Sequence, residues 1–354
     1  MVSIGRWGGS LLGWVLCGLL AVWPAPMAMA QGGESCYVAL GDSVSSGYGL
    51  EEADQRFTQQ VAEACGFTLL SLAQNGETST SLLERLQDPE AIQAVAQADV
   101  ITMTIGGNDL MYALYEYLAQ QYHASHPQES PTVEQVQGAL MEGDMTMLTF
   151  ALEQVQGFCA SQEEQRVLAQ FSDNLTQVVE EIYRVNSQVC LVVANQYNPY
   201  SYLLREFAQY PPLAGAAQDV EEALECGVSA LNGVIGAVGE QMGYSVADVY
   251  AAFQDAQENP CNATVSPFAK LNLDFHPNIY GHGLIAGAVT ATTQTQLQVM
   301  GREIQAVVGE ATTWTKPMDQ SVGWLGAIPA CGAGIFLVFV TIWRWKHCHQ
   351  KRKK

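Results

Sequence analysis

Positive charge is scarce in this chain: between residues 31 and 322, eight lysines and arginines face all 36 aspartates and glutamates, a net charge of −28. A field of that sign repels polyanions, so nucleic acid is excluded as a partner and neutral or cationic substrates fit better. Solubility or a saline habitat would favour the same balance. Several catalytic signatures are also missing. The chain has no G-x-G-x-x-G after an apolar run, no phosphate-binding G-x-x-x-x-G-K-[ST] and no H-E-x-x-H, which removes the usual marks of dinucleotide, nucleotide and zinc-peptidase sites. Without a G-x-S-x-G elbow, the α/β-hydrolase route to serine catalysis is disfavoured. Paired C-x-x-C ligands for zinc are absent as well. Histidine is rare, with six in the chain and two of those in the last eight residues.

What is present divides the chain into segments. Residues 1–30 carry Arg6, an uncharged apolar run from Leu11 to Val22 and the small-x-small end Ala28-Met29-Ala30, the pattern of a signal peptide with the mature chain beginning near Gln31. Residues 323–343 contain no charge and are long enough to cross a bilayer as a helix. The cations of residues 344–354 that follow suit a cytoplasmic tail, with Trp324, Trp343 and Trp345 near the interfaces. Those cations favour a membrane anchor over a buried terminal helix. The expected organisation is therefore a catalytic domain over 31–305, a stalk over 306–322, a transmembrane helix and a basic tail, with the domain on the outer side of a cell membrane. Six cysteines, Cys36, Cys65, Cys159, Cys190, Cys226 and Cys261, would lie outside. In an oxidising compartment they permit up to three disulfides, which are expected between sequence neighbours.

Within the domain, Tyr37–Leu40, Phe67–Leu72, Val100–Ile105, Val189–Ala194 and Tyr244–Val249 are short, nearly continuous apolar runs separated by helical stretches. Strands alternating with helices predict a parallel α/β sheet whose strands are buried on both faces. Residues 110–188 are too long for one crossover and are broken at His126-Pro127 and Ser130-Pro131. A helical insertion is expected there, forming a wall or lid over a pocket or else a plain surface excursion.

Four segments carry chemistry. Ser43, in Gly41-Asp42-Ser43-Val44-Ser45-Ser46-Gly47, sits at the carboxyl end of the first strand, the edge where open α/β sheets bind ligands; Asp42 and Ser43 are equally good helix caps. Gly76, in Ala73-Gln74-Asn75-Gly76-Glu77-Thr78, follows the second strand, where a glycine lets backbone approach a ligand or simply turns. Asn108, in Ile105-Gly106-Gly107-Asn108-Asp109, follows the third. His276, in Leu273-Asp274-Phe275-His276-Pro277-Asn278, is a candidate base beside a carboxylate, which a serine hydroxyl needs because it is a poor nucleophile at neutral pH. His282 reads as a helix-start residue.

In order and spacing these four segments resemble the SGNH, or GDSL-type, hydrolase family from about Tyr37 to Ala291. The resemblance implies a flavodoxin-like parallel five-stranded sheet between helices. It also implies Ser43 as nucleophile, His276 as base and an oxyanion hole from Ser43, Gly76 and Asn108. No metal or organic cofactor is implied. There is one departure. The family's aspartate stands three residues before its histidine, where this chain has Leu273; the carboxylate here is Asp274, two residues before. Either Asp274 orients His276 to complete a triad, or a backbone carbonyl does so and leaves a dyad. The implied reaction is ester hydrolysis through an acyl-serine. Substrates would be acyl lipids, which call for an apolar rim from Leu110, Met111, Tyr112, Leu114 and Tyr115, or acetylated glycans, which call for an open cleft with aromatic platforms. A surface binding protein without catalysis on the same fold is the alternative from another class.

Overall fold

The computed structural model describes residues 35–209, 211–264 and 272–302. The expected signal peptide (1–30), stalk (306–322), transmembrane helix (323–343) and basic tail (344–354) lie outside the described residues. Among those described, no helix is long and apolar enough to cross a membrane.

In chain order the elements are β1 (Ser35–Gly41), α1 (Ser43–Ser46), α2 (Phe57–Cys65), β2 (Phe67–Ser71), α3 (Ser79–Arg85), α4 (Pro89–Gln97), β3 (Val100–Thr104), α5 (Gly107–Ser125), α6 (Val133–Met141), α7 (Met145–Phe158), α8 (Gln162–Val185), β4 (Cys190–Ala194), α9 (Ser201–Ala208), α10 (Pro211–Met242), β5 (Ser245–Ala247), α11 (Val249–Gln254) and α12 (Ile279–Val299). The five strands form one sheet in the order β2-β1-β3-β4-β5. Every pairing is parallel, with Tyr37 opposite Val100 and Val100 opposite Cys190. All five predicted runs are strands. The last is shorter than expected, because Asp248 caps the helix that begins at Val249.

Why the runs lack alternation is visible in the two faces of the sheet. Val38, Leu40, Ile101, Met103, Leu191 and Val193 pack under α3, α4, α8 and α10. Their neighbours Tyr37, Ala39, Val100, Cys190 and Val192 pack under α2, α11 and α12. Both faces are covered, so both sets of side chains are apolar. Edge strand β2 is the exception, and its Leu70 is exposed.

The expected insertion over 110–188 needs correction. Helix α8 is part of the main core: Phe171, Leu175, Val178, Val179 and Ile182 recur at helical spacing and lie against the sheet. The excursion proper is α6 and α7, which gather with α5 into a separate cluster around Tyr115, Leu118, Val136, Met147 and Phe158. No proline marks the boundary between α7 and α8. The turn between α7 and α8 instead uses Ala160 at φ +59° and Ser161 as the cap of α8.

The cysteine expectation is also corrected. Among the described residues one disulfide joins Cys159 to Cys226, skipping Cys190, with Cα atoms 6.1 Å apart. Cys36, Cys65, Cys190 and Cys261 are free thiols. Burial pushes the Cys65 and Cys190 thiols up to about 11, as expected of small core hydrophobes.

Candidate active site

The sheet order places β1 and β3 side by side where the chain reverses its direction of winding, and the crevice beyond their carboxyl ends is the expected ligand position. Gly41 ends β1 at φ +110°, and a side chain there would collide with the Thr104 carbonyl of β3. That close approach lets the Asp42 N–H donate to the Thr104 carbonyl at 3.0 Å. Asp42, not Ser43, is the helix cap: its Oδ1 accepts from the Val44 N–H at 3.0 Å and from the Thr104 hydroxyl at 2.7 Å. Burial pushes the Asp42 carboxyl up to about 6, against the pull of these hydrogen bonds and of His276.

Capping by Asp42 leaves the Ser43 side chain available for a different partner. Its Oγ lies 2.9 Å from His276 Nε2. On the other side of the ring, His276 Nδ1 lies 2.6 Å from Asp274 Oδ1. A carboxylate can only accept, so Nδ1 carries the proton and Nε2 is free to accept from the serine hydroxyl. The two-residue spacing works because the backbone makes an Asx turn, in which Asp274 Oδ1 also accepts the His276 N–H at 3.1 Å. Burial pushes Asp274 up, but the hydrogen bonds from His276, its charge and the Asn262 amide together hold the carboxyl below its usual value. Asn262 Nδ2 donates to Asp274 Oδ2 at 3.2 Å. The His276 ring is flanked by Tyr48 and Phe275, each with its centroid 4.6 Å away.

Asn108 lines the same cleft as Ser43. Its Nδ2 donates one hydrogen to the Glu77 carbonyl at 2.9 Å, which leaves the second hydrogen of the amide for another acceptor. Gly76 precedes that carbonyl and holds φ +76°, a left-handed conformation that glycine adopts without strain. Its loop is tied to α1 by the Ser46 hydroxyl, which donates to Asn75 Oδ1 at 2.5 Å. Underneath, the buried Glu77 carboxylate is paired with Arg85, which also donates to the Leu72 carbonyl. Next to Asn108, Asp109 accepts from Ser79 N and Oγ, and Asn174 Nδ2 donates to the same Ser79 Oγ at 3.0 Å. The structure thus brings Ser43, His276 and Asp274 into one chain of hydrogen bonds and connects Gly76 and Asn108 through Glu77.

Several contributors were not read from the sequence. Asn262 belongs to a strap running antiparallel to the base loop, in which Cys261 pairs with Pro277 and the Asn262 N–H donates to the His276 carbonyl at 2.9 Å. Tyr197 and Tyr200, after β4, donate to the Phe275 and Leu273 carbonyls at 3.2 and 2.9 Å. Only pairing across long sequence separations reveals these roles. His282 is fully buried in the first turn of α12, where its Nδ1 accepts from the Phe57 N–H at 3.3 Å; burial pushes it down to about 4. It is a neutral core residue, in line with the helix-start reading. The described residues contain one group of possible metal donors, Cys159, Glu164 and Cys226, and two of these are joined as the disulfide.

Comparison with known proteins finds partial relatives. A 25% identity over 181 residues links the chain to the uncharacterized protein YpmR of Bacillus subtilis, covering 51% of this chain and 55% of that one. The spore germination lipase LipC of Bacillus licheniformis is 38% identical over 87 residues, which is 23% of this chain and 41% of that protein. The chain thus spans about half the length of the curated relatives it matches. Among solved structures, the lipase Lip_vut3 from a goat rumen metagenome superposes with a TM-score of 0.47 at 21% identity, covering 73% of this chain and 97% of that one. A sequence model of the GDSL-like Lipase/Acylhydrolase family matches residues 39–284. That match begins inside β1, takes in Ser43, Gly76, Asn108 and the Asp274–His276 loop, and ends in the second turn of α12; this chain belongs to the GDSL-like lipase/acylhydrolase family.

Proposed function

We propose that the protein hydrolyses carboxylic esters through an acyl-serine intermediate. The observation that carries this reading is the continuous relay from Asp274 Oδ1 through His276 to Ser43 Oγ, with links of 2.6 and 2.9 Å. His276 Nε2 takes the Ser43 proton as Oγ attacks the ester carbonyl. Asp274 holds the ring in the tautomer that can accept and stabilises the imidazolium that results. The backbone amides of Ser43 and Gly76 and the second amide hydrogen of Asn108 receive the developing oxyanion. His276 then returns its proton to the leaving alkoxide, and water activated by the same base releases the acid.

The finer reading is an outward-facing enzyme held to a membrane by residues 323–343. The charge pattern of both ends and the Cys159–Cys226 bridge, which forms in oxidising compartments, support it. Fractionation of cells and protease access to the intact surface test the location.

The chemistry is tested by labelling with a fluorophosphonate and by turnover of p-nitrophenyl acetate. Wild type should label and turn over, while Ser43→Ala and His276→Ala should lose both. A Ser43→Ala protein that still labels would assign the nucleophile elsewhere, and a folded wild type that neither labels nor hydrolyses any ester would favour the binding-protein reading.

A further inference from the structure

Beside the Ser43 cleft lies a larger cavity. The cleft has a volume of about 110 Å³ and the cavity about 280 Å³. Met111, Tyr200 and Phe275 line both, so the two spaces share a wall next to His276. The cavity is bounded by α5, α6 and α7 on one side and by α9 and α10 on the other. Leu148 and Ala151 of α7, Leu203 of α9 and Leu224 of α10 are among its lining residues. No charged residue lines it, and the Tyr200 hydroxyl is already donated to the Leu273 carbonyl.

We propose that this cavity receives the acyl chain of the substrate, so that the enzyme is selective for medium-length to long acyl esters and the α6–α7 excursion sets the chain length. The inference rests on the acyl-serine reading above for the position of the ester carbonyl. Three observations lead to it. First, a lining whose only polar side-chain groups are the hydroxyls of Tyr115 and Tyr200 penalises a polar occupant, since most of its hydroxyls or amides must shed their water without recompense. That selects a hydrocarbon and disfavours an acetylated sugar at this position. Second, the size fits one chain. At roughly 30 Å³ for each group the size of a water molecule, 280 Å³ accommodates on the order of nine methylenes. Third, the cavity adjoins the Ser43 cleft at Met111, Tyr200 and Phe275. Phe275 immediately precedes the base, and its carbonyl is held by the Tyr197 hydroxyl, so the cavity wall and His276 belong to one fixed loop. Of the residues expected to form an apolar rim, Met111, Leu114 and Tyr115 line the cavity, Leu110 lines the cleft and Tyr112 is exposed near Gly76.

The walls are also joined covalently. Cys159 follows the last turn of α7 and Cys226 lies on α10, so the disulfide fastens the two sides of the cavity to each other. Exposed Met141 and Met145 stand between α6 and α7 at the outer end, where a chain longer than the cavity would emerge.

The test uses the purified full chain. Wild type should show a kcat/KM for p-nitrophenyl decanoate at least tenfold above that for the acetate, because each buried methylene adds to transition-state binding. Ala151→Phe and Leu148→Trp fill the space, and either should lower the decanoate-to-acetate ratio at least tenfold. An unchanged ratio in both folded variants would overturn the proposal. A readout independent of turnover is the fluorescence of 11-(dansylamino)undecanoic acid added to the Ser43→Ala protein. Saturable binding, displaced by decanoate and not by acetate, is expected, and Ala151→Phe in that background should weaken it at least tenfold. No saturable binding would refute the cavity as an acyl site. Binding that persists after Ser43 of the wild type has reacted with a decyl phosphonate would assign the cavity to a separate lipid. If wild type hydrolyses no ester but the probe binds as described, the catalytic reading fails while the cavity keeps its ligand class.

Discussion

Asp274 and His276 are joined twice: a single carboxylate oxygen of Asp274 accepts the ring Nδ1–H of His276 at 2.6 Å and its backbone N–H at 3.1 Å. The bond to the backbone fixes the loop and the bond to the ring fixes the tautomer, so one side chain does both. Asp274→Asn keeps the size but can present its amide to Nδ1, which favours the wrong tautomer. The expected result is a fall in kcat of about 10²- to 10⁴-fold with KM little changed. The sign of the stability effect follows from the depressed carboxyl. Its contribution is present above the unfolded pKa and is lost as pH falls through the lower folded value. Thermal melts of wild type and Asp274→Asn should therefore differ at neutral pH and converge in strong acid. An Asn variant with wild-type kcat would show that Asp274 only shapes the loop.

The Asn262 side chain acts on the base through Asp274, whose Oδ2 accepts from its amide. Asn262→Ala removes one donor to the Asp274 carboxylate, so the aspartate is held less firmly and its pKa rises. The expected loss in kcat is about 3- to 30-fold, the scale of one hydrogen bond to a charged group. The acid limb of the pH–rate profile should move upward. Asn262→Asp places a like charge beside Asp274 and should move the limb further in the same direction. A purely structural role would lower stability and leave the profile in place.

The parts of this molecule that sequence reveals are those set by local chemistry. Five apolar runs became five strands because both faces of a parallel sheet are covered. Ser43, Gly76, Asn108 and His276 were legible because each follows the carboxyl end of a strand or stands beside a carboxylate in a turn-rich segment. What was not legible depends on pairing at a distance. The Asn262–Asp274 contact spans 12 residues in an irregular strap, and the Cys159–Cys226 bridge spans 67. Helices α9 and α10 contribute Leu203, Leu204, Phe207, Val220 and Leu224 to the apolar cavity, yet these residues carry no individual signature of it. The assignment of α8 to an insertion failed for the same reason: an amphipathic helix shows that it has an apolar face but not which surface that face covers.

Asp42 gives the active-site edge a pH signature opposite to that of Asp274. Its carboxyl is pushed up to about 6 by burial, while an unfolded aspartate titrates near 4. Between those values the folded state binds more protons than the unfolded one, so this group's contribution to stability falls as pH rises from about 4 to 6 and is constant above. Asp42→Asn retains an oxygen that can accept from Val44 and Thr104. Its melting temperature should lack that decline, which puts the largest advantage over wild type above pH 6. Melting curves from pH 4 to 8 read the difference directly. A variant with the same slope as wild type would mean that Asp42 titrates normally.

The Cys159–Cys226 bridge should matter differently to stability and to selectivity. Closing a loop of this separation, 67 residues, limits the unfolded chain by up to about 4 kcal/mol in the chain-entropy account. The Cys159→Ser, Cys226→Ser double variant should accordingly melt several degrees lower. Neither Cys159 nor Cys226 belongs to the cores packed on the two faces of the sheet, and Ser43, His276 and Asp274 are held by β1 and the strap instead. Hydrolysis of the acetate ester should therefore survive below the melting temperature. Separation of α7 from α10 opens the apolar cavity to water, so the decanoate ester should lose more of its kcat/KM than the acetate in the double variant and in reduced wild type alike. Equal losses for both esters would mean that the bridge supports the whole domain and that α7 and α10 stay together without it.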